Sequence, residues 1–360
     1  MNPAGGPRRV PIVVDCDTGI DDSLALLYAA ASPDCDLVAV TCTAGNVDAR
    51  QVAENTRALL ELVGRADVEV ALGRETPLER PLVTTPETHG PRGIGYAELP
   101  PARMPLSSRF APDLIVEEAC CRPGELTLVT LAPLTNVALA VLREPELPYL
   151  LRRLVIMGGS YRSPGNTAPT TEWNVNVDPE AAKVVFDAFG AAATSGTASR
   201  HGAAGRASAA RPIALGLDVT ERAKMLPEHL ARLAARAGCA PDGSVPGGGM
   251  NAVVRFAADA LRFYMEFHSR YDGFYGAFVH DPLALAAALD PSLVRTEALA
   301  VDVELTGRLT TGETVADWRR IWGRPANVDV AVAADAGLFF DRFIERVGGL
   351  AARLGTTPTR

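Results

Sequence analysis

Short apolar runs alternate with amphipathic stretches along most of the chain. PIVV precedes DDSLALLYAA, DLVAVTCTA precedes VDARQVAENTRALLELV, ELTLVTL precedes PLTNVALAVL, and RRLVIMGG precedes DPEAAKVVFDAF. That alternation predicts β-α-β units, and hence a mainly parallel, Rossmann-like sheet covered by helices on both faces. The expected fold class is α/β, one domain over 1–360 with its core at about 11–346. In such sheets ligands bind beyond the carboxyl ends of the strands. Chemistry is therefore sought directly after each run, at Asp15 and Asp17, Ala44-Gly45-Asn46, Leu131-Ala132-Pro133 and Met157-Gly158-Gly159. Residues 190–211 are small and polar, which predicts a flexible insertion, and 237–249 (AGCAPDGSVPGGG) predicts a second mobile loop. Neither reads as a domain linker, because the alternation resumes at PIALGLDVT. A long helical stretch, MNAVVRFAADALRFYMEFHSRY, then leads to VHDPLALAAAL.

The first strand end carries DCDTGIDD, with Asp15, Asp17, Asp21 and Asp22 inside eight positions. Like charges this close raise one another's pKa and oppose folding unless something positive joins them. Positions i and i+2 of a strand point to one side, so Asp15 and Asp17 are expected to share a face. Gly19 then permits a sharp turn into a helix starting near Asp21 and Asp22. A helix start accommodates one or two carboxylates, each worth about 0.3–1 kcal/mol, so capping accounts for Asp22 or its neighbour but not for all four. The D-x-D-x-T motif of haloacid dehalogenase-type phosphatases fits poorly. Gly19 stands where that motif needs threonine, and the Asp21-Asp22 pair would repel a phosphate dianion. Clusters made only of oxygen select hard cations, calcium or magnesium, and a cation-held water beside a carboxylate base is a hydrolytic arrangement.

Composition narrows the partners. The 360 residues are 48% hydrophobic and 22% charged, with a mean hydropathy of +0.09, enough for one large domain or two small ones. A net charge of -8 and a pI near 5.3 argue against nucleic acid and anionic membranes and favour a small molecule. The six cysteines form no C-x-x-C pair, which reads as reduced, mostly buried thiols. No stretch approaches the roughly 20 apolar residues of a membrane span, so a cytoplasmic location is expected.

D-x-D-x-G-x-D-D after a first strand resembles the nucleoside hydrolase family, the calcium-dependent N-ribohydrolases. Six further blocks follow in order: AGN (44–46), THGPRGIGY (88–96), TLAPLTNVALA (130–140), MGGS (157–160), GNTAPTTEWNVNVDPEAA (165–182) and VHDPLALA (279–286). The resemblance implies that Asp17, Asp22 and Asp281 bind Ca2+ through carboxylates and Leu131 through its carbonyl. Asp17 is then also the base toward water, and His280 the general acid for the leaving base. It implies that Asn166, Glu172 and Asn174 hold the ribose, with Asp21 at the 2′-hydroxyl, Asn46 near metal and sugar, Met157 on the sugar face and His89 beside the nucleobase. It implies a nucleoside substrate and a homodimer or homotetramer.

Local readings compete at several of these positions. Asp281 and Asp178 each precede proline at a helix start and suit an N-cap, a role accepted here for Asp178. Asn166 and Asn46 suit turns. Glu172 and Asn174 alternate around Trp173, so a period of two would put both on one face. Histidine has the unperturbed pKa for proton donation near neutrality. Of the others, His201 and His229 read as solvated surface, and His268 as core or surface. No tryptophan occurs in 88–96 or 250–275, the regions expected to read the base, which favours broad or pyrimidine-tolerant specificity of the inosine and uridine type. Phosphorolysis is disfavoured, because no basic cluster accompanies the strand ends. A non-catalytic calcium- or nucleoside-binding protein, or a hydrolase of another N-ribosyl substrate, are the alternatives.

Overall fold

A computed structural model describes residues 9–194 and 209–355. The strands are β1 Val10–Cys16, β2 Cys35–Cys42, β3 Glu69–Leu72, β4 Thr127–Thr130, β5 Arg153–Met157, β6 Ile213–Leu215, β7 Lys224–Met225, β8 Ala277–Phe278, β9 Val294–Leu299, β10 Val301–Val303, β11 Thr314–Ala316 and β12 Val328–Ala334. Eight of them form one sheet in the order β3-β2-β1-β4-β5-β6-β12-β9. Every neighbouring pair is parallel except β12 with β9, so the expected α/β architecture is the one observed.

Both faces of the sheet are covered, and β1 shows why its sequence is a continuous apolar run. Ile12, Val14 and Cys16 enter one apolar layer, with the helices Ile20–Ala31, Ala252–Tyr271, His280–Leu289 and Ala336–Gly355. Val13 points to the opposite layer, with the helices Ala111–Cys121, Thr135–Arg143 and Pro179–Thr194. The helix Ile20–Ala31 is buried on nearly all sides because it lies between the sheet and outer helices; there Tyr28 stacks on Phe343 with ring centroids 5.9 Å apart.

Crossovers leave the first five strands so that Asp17, Asn46, Leu131 and Met157 sit at one end of the sheet. The small antiparallel pair of β7 with β8 adds a wall there and delivers the chain to His280. Asp178 caps the helix Pro179–Thr194 through the Ala181 N–H (3.1 Å), as expected.

The 190–211 segment begins as the last residues of that helix, and 195–208 lie outside the described residues, as does His201. The 237–249 loop is closed by a left-handed cap at Gly238 and a bridge between Ser244 and Met250. His229 is not a solvated surface residue: it stacks on Phe340 at 4.1 Å and its Nδ1 accepts the Leu226 N–H, a local contact that sequence spacing does not show. Among the described residues, no helix is long and apolar enough to cross a membrane.

Candidate functional site

Asp15 lies within β1 and Asp17 just beyond it, both fully buried. Asp15 Oδ1 accepts the Thr41 hydroxyl (2.7 Å) and the Asn136 amide (2.9 Å), while burial pushes its carboxyl up to about 7. The backbone N–H of Asn46 donates to Asp17 Oδ2 (2.7 Å). Asp22, in the first turn of the next helix, accepts from the Gly19 N–H (2.8 Å) and the Asn46 amide (3.2 Å), so it closes the helix start and faces the cluster at once. Gly19 has an extended backbone, not a left-handed one. Crowding is what requires glycine there, since a Cβ would stand 2.6 Å from Asn46 Nδ2 and 2.7 Å from His89 Nδ1.

Asp281 arrives from the far end of the sequence. It occupies the first turn of His280–Leu289 without capping it, and one oxygen each of Asp21, Asp22 and Asp281 lie within 4.8 Å of one another. Asp17 stands outside this tightest trio. Burial raises all four: Asp22 to about 6 against the hydrogen bonds it accepts, and, reinforced by neighbouring carboxylates, Asp21 to about 7 and Asp17 and Asp281 well above the ordinary range. Among the described residues, no lysine or arginine pairs with any of them. Asp17 Oδ1 and Asn46 Oδ1 are buried oxygens without a hydrogen-bond partner. Concentrated oxygen donors, orphaned lone pairs and missing counter-charge together fit a hard divalent cation.

Above this cluster opens a cavity of about 520 Å³, lined by Asp21, Asn46, Leu131, Met157, Asn166, Glu172, Asn174, His89, His280 and Asp281 among others. Glu172 and Asn174 do not alternate along a strand. Glu172 caps the short helix Trp173–Val177, accepting the N–H groups of Asn174 (2.8 Å) and Val175 (3.1 Å), and also that of Gly159 (3.0 Å) after β5. Asn174 donates its amide to the Leu131 carbonyl (2.8 Å), and Asn166 accepts the Trp173 N–H (3.0 Å). These bonds tie the 166–175 segment to the ends of β4 and β5 and hold its polar groups against one side of the cavity.

Three histidines converge on the other side, each tied through Nδ1. His89 Nδ1 accepts the Ile20 N–H (3.1 Å), so its neutral ring carries a proton on Nε2. His268 Nδ1 meets the Asp272 carboxylate (2.7 Å), which leaves Nε2 bare and without a partner. His280 Nδ1 pairs with the Thr220 hydroxyl (2.8 Å). Burial, with the other histidines adding to it, pushes His89 and His280 down to about 3, so both are neutral near pH 7.

His268 thus belongs to the cavity wall, buried among Tyr264, Phe267 and Phe278. Sequence reasoning missed Thr220, Glu221, Phe267, Asp272 and Phe278. Phe267 and Phe278 have the apolar pattern of ordinary core, and Thr220, Glu221 and Asp272 that of polar helix ends, so only their meeting across helices marks them out. Trp173 also lines the cavity, beside Glu172 and Asn174, so a tryptophan is present where its absence from two other segments suggested none.

Residues 12–341 match the inosine-uridine preferring nucleoside hydrolase family. The chain is 36% identical over 346 residues to a pyrimidine-specific ribonucleoside hydrolase RihA of Enterobacter sp. (strain 638), covering 96% of this chain and 99% of that one. It is 34% identical over 351 residues to the inosine-uridine preferring nucleoside hydrolase of Leishmania major, covering 95% and 99%. In three dimensions it resembles a purine-preferring ribonucleoside hydrolase from Gardnerella vaginalis, with a TM-score of 0.82, 29% identity and coverage of 95% and 99%. The carboxylate cluster, the polar wall of Asn166, Glu172 and Asn174 and the cavity thus stand in a chain that belongs to the inosine-uridine preferring nucleoside hydrolases, enzymes that hydrolyse the N-ribosyl bond.

Proposed function

We propose that the chain cleaves ribonucleosides of both purine and pyrimidine type to free base and ribose, with Asp17 as base and His280 as donor to the leaving group. The observation that carries this reading is the convergence of buried, uncompensated carboxylates, the Asn166–Glu172–Asn174 wall and His280 on one cavity at the carboxyl ends of parallel strands. Asp17, Asp22, Asp281 and the Leu131 carbonyl would hold Ca2+. When bound, the ion would compensate the carboxylates, chelate the ribose diol and acidify a water.

The side chains supply the rest. Asp17 Oδ1, free of hydrogen bonds, accepts the proton of the attacking water. Asp21, Asn46, Asn166, Glu172 and Asn174 orient the sugar, and the carboxylates stabilise positive charge developing on its ring; Met157 covers its face. Because His280 is neutral, it serves the leaving base not as a resting imidazolium but as an Nε2–H donor, in the tautomer for which the Thr220 hydroxyl turns from the Gly216 carbonyl to donate to Nδ1. His89 offers a second Nε2–H to the base. A separate base and donor on opposite sides of the sugar give inversion at C1′.

Breadth toward the base is supported by the cavity's size and its aromatic lining, and by relatives named for pyrimidine, inosine-uridine and purine preference. The reading extends to one domain carrying the whole activity, a homodimer or homotetramer, and a cytoplasmic location.

The test is ribose release from inosine, adenosine, guanosine, uridine and cytidine without phosphate, with calcium and after chelation. Calcium-dependent ribose from purine and pyrimidine nucleosides is expected. A folded, calcium-binding protein that releases none is a non-catalytic binder or acts on another N-riboside.

A further inference from the structure

Behind the carboxylate cluster, on the face of the sheet covered by the helix Thr135–Arg143, a second polar group joins several strand ends without reaching the cavity. Asn136, in the first turn of that helix, is fully buried. Its Nδ2 donates to Asp15 Oδ1 (2.9 Å) and to the Cys42 carbonyl (3.2 Å), and its Oδ1 accepts the Arg74 N–H (3.0 Å). One amide therefore ties the ends of β1, β2 and β3 to the helix that follows β4. Thr41, the register partner of Asp15 on β2, gives Asp15 Oδ1 its second donor (2.7 Å). None of Asp15, Thr41 and Asn136 lines the cavity.

Asp15 Oδ2 stays buried without a hydrogen-bond partner. Such an atom costs folding free energy that an apolar side chain at the same position would not. Stability alone does not account for the carboxylate, and what it holds does. The Asp15 carbonyl accepts the Leu131 N–H (2.8 Å), which fixes the residue whose own carbonyl faces the cation site. Two positions on stands Asp17, whose Oδ2 rests on the Asn46 N–H (2.7 Å). The loop that delivers Asn46 leaves β2 at Cys42, the residue that Asn136 grips by its carbonyl. Both anchors thus meet at one amide.

Resting on the calcium reading above, we infer that Asp15, Thr41 and Asn136 are positioning residues whose network sets the spacing of the Leu131 carbonyl and the Asp17 carboxylate, and through it a preference for calcium over magnesium. Calcium takes oxygens at about 2.3–2.6 Å in loose geometry, whereas magnesium requires a near-octahedral set at about 2.0–2.1 Å. Ligands pinned through separate strand ends cannot draw inward, so the smaller ion is left under-coordinated. Loosening the network frees them to contract. Calcium then loses affinity, and magnesium loses less.

The experiment measures dissociation constants for Ca2+ and for Mg2+ by titration calorimetry on the chelator-stripped wild type, Thr41→Val, Thr41→Ser and Asn136→Ala, with the metal-free melting temperature of each. The wild type is expected to bind calcium the more tightly. Thr41→Val and Asn136→Ala should weaken calcium about tenfold and magnesium by no more than about threefold, and Thr41→Ser should restore the wild-type values. Should Asn136→Ala fold poorly, Thr41→Val and Thr41→Ser, which keep the shape of the side chain or its hydroxyl, decide the matter. A lowered melting temperature with unchanged dissociation constants, an equal loss for both ions, no restoration by serine, or a wild type that does not prefer calcium overturns the proposal alone. A wild type that binds neither ion loses the cation reading and this proposal with it.

Discussion

Asp17 is held by the backbone of Asn46: the amide N–H, 2.7 Å from Oδ2, fixes one carboxylate oxygen and leaves the other, Oδ1, buried and unpartnered. A carboxylate restrained on one side and bare on the other suits proton transfer, because its basic lone pair is not spent on structure. Asp17→Asn should lower kcat by about 10²–10⁴-fold. The same change removes one of four mutually repelling buried charges, so after chelation the variant should melt no lower than the wild type. Added calcium should raise the wild-type melting temperature more than the variant's. A variant that keeps most of its activity would remove Asp17 from the role of base.

Gly45 sits against that carboxylate, where a Cβ would collide with Asp17 Oδ2 and lie 2.9 Å from Cγ and 3.0 Å from Pro133 Cδ. Gly45→Ala is expected to match Asp17→Asn in lost activity and to lower the melting temperature as well. Gly19→Ala crowds Asn46 and His89 instead, so its main effect should be a raised KM. Steady-state kinetics and thermal melts of both variants separate the two outcomes, and a Gly45→Ala enzyme of normal kcat would contradict the packing described.

Thr220 touches His280 and no reacting atom, and its hydroxyl also lies 3.2 Å from the Gly216 carbonyl. Thr220→Val should lower kcat on uridine about tenfold, with little change on a nitrophenyl riboside, whose leaving group needs no proton. Thr220→Ser should restore most of the loss. Equal losses on both substrates would mean that Thr220 acts only in folding.

Asp290 gives a pH signature away from the site. Its bonds from Ser292 (2.7 Å from the hydroxyl, 3.0 Å from the N–H) and from Arg342 (2.6 Å) hold its carboxyl down, from 3.8 to about 2. A depressed carboxylate stabilises the fold above its unfolded pKa, and that stability is lost as pH falls from about 4 through about 2. With roughly a third of its side chain exposed, the effect is screened to about 1 kcal/mol. Asp290→Asn should therefore lower denaturant stability at pH 7 by that amount and converge with the wild type near pH 2; a constant difference across this range would refute the assignment.

What the sequence disclosed and what it hid follow from the range of the interactions involved. The β-α alternation and the DCDTGIDD cluster are local, so β1, the helix after it, and Asp17, Asp21 and Asp22 could be placed directly. Glu172 could be singled out, but its geometry could not be read, because its oxygens bind the start of its own helix and the loop after β5 together. Gly19 was recognised as necessary for the wrong reason, since the side chains that exclude a Cβ come from residues 46 and 89. The rings of Tyr264 and Phe267 look like one face of an amphipathic helix; only packing against His89 and His268 separates pocket from core.

Asp281 completes a group whose other members lie at the very start of the chain, and it is placed when the helix His280–Leu289 packs on Ile20–Ala31. A ribosome that has made the first two-thirds of this protein has already made Asp17, Asp21 and Asp22, yet nothing able to attack a nucleoside. If Asp281 holds the cation as proposed, a fragment truncated before residue 280 is expected to release no ribose at all, rather than to behave as a weak enzyme.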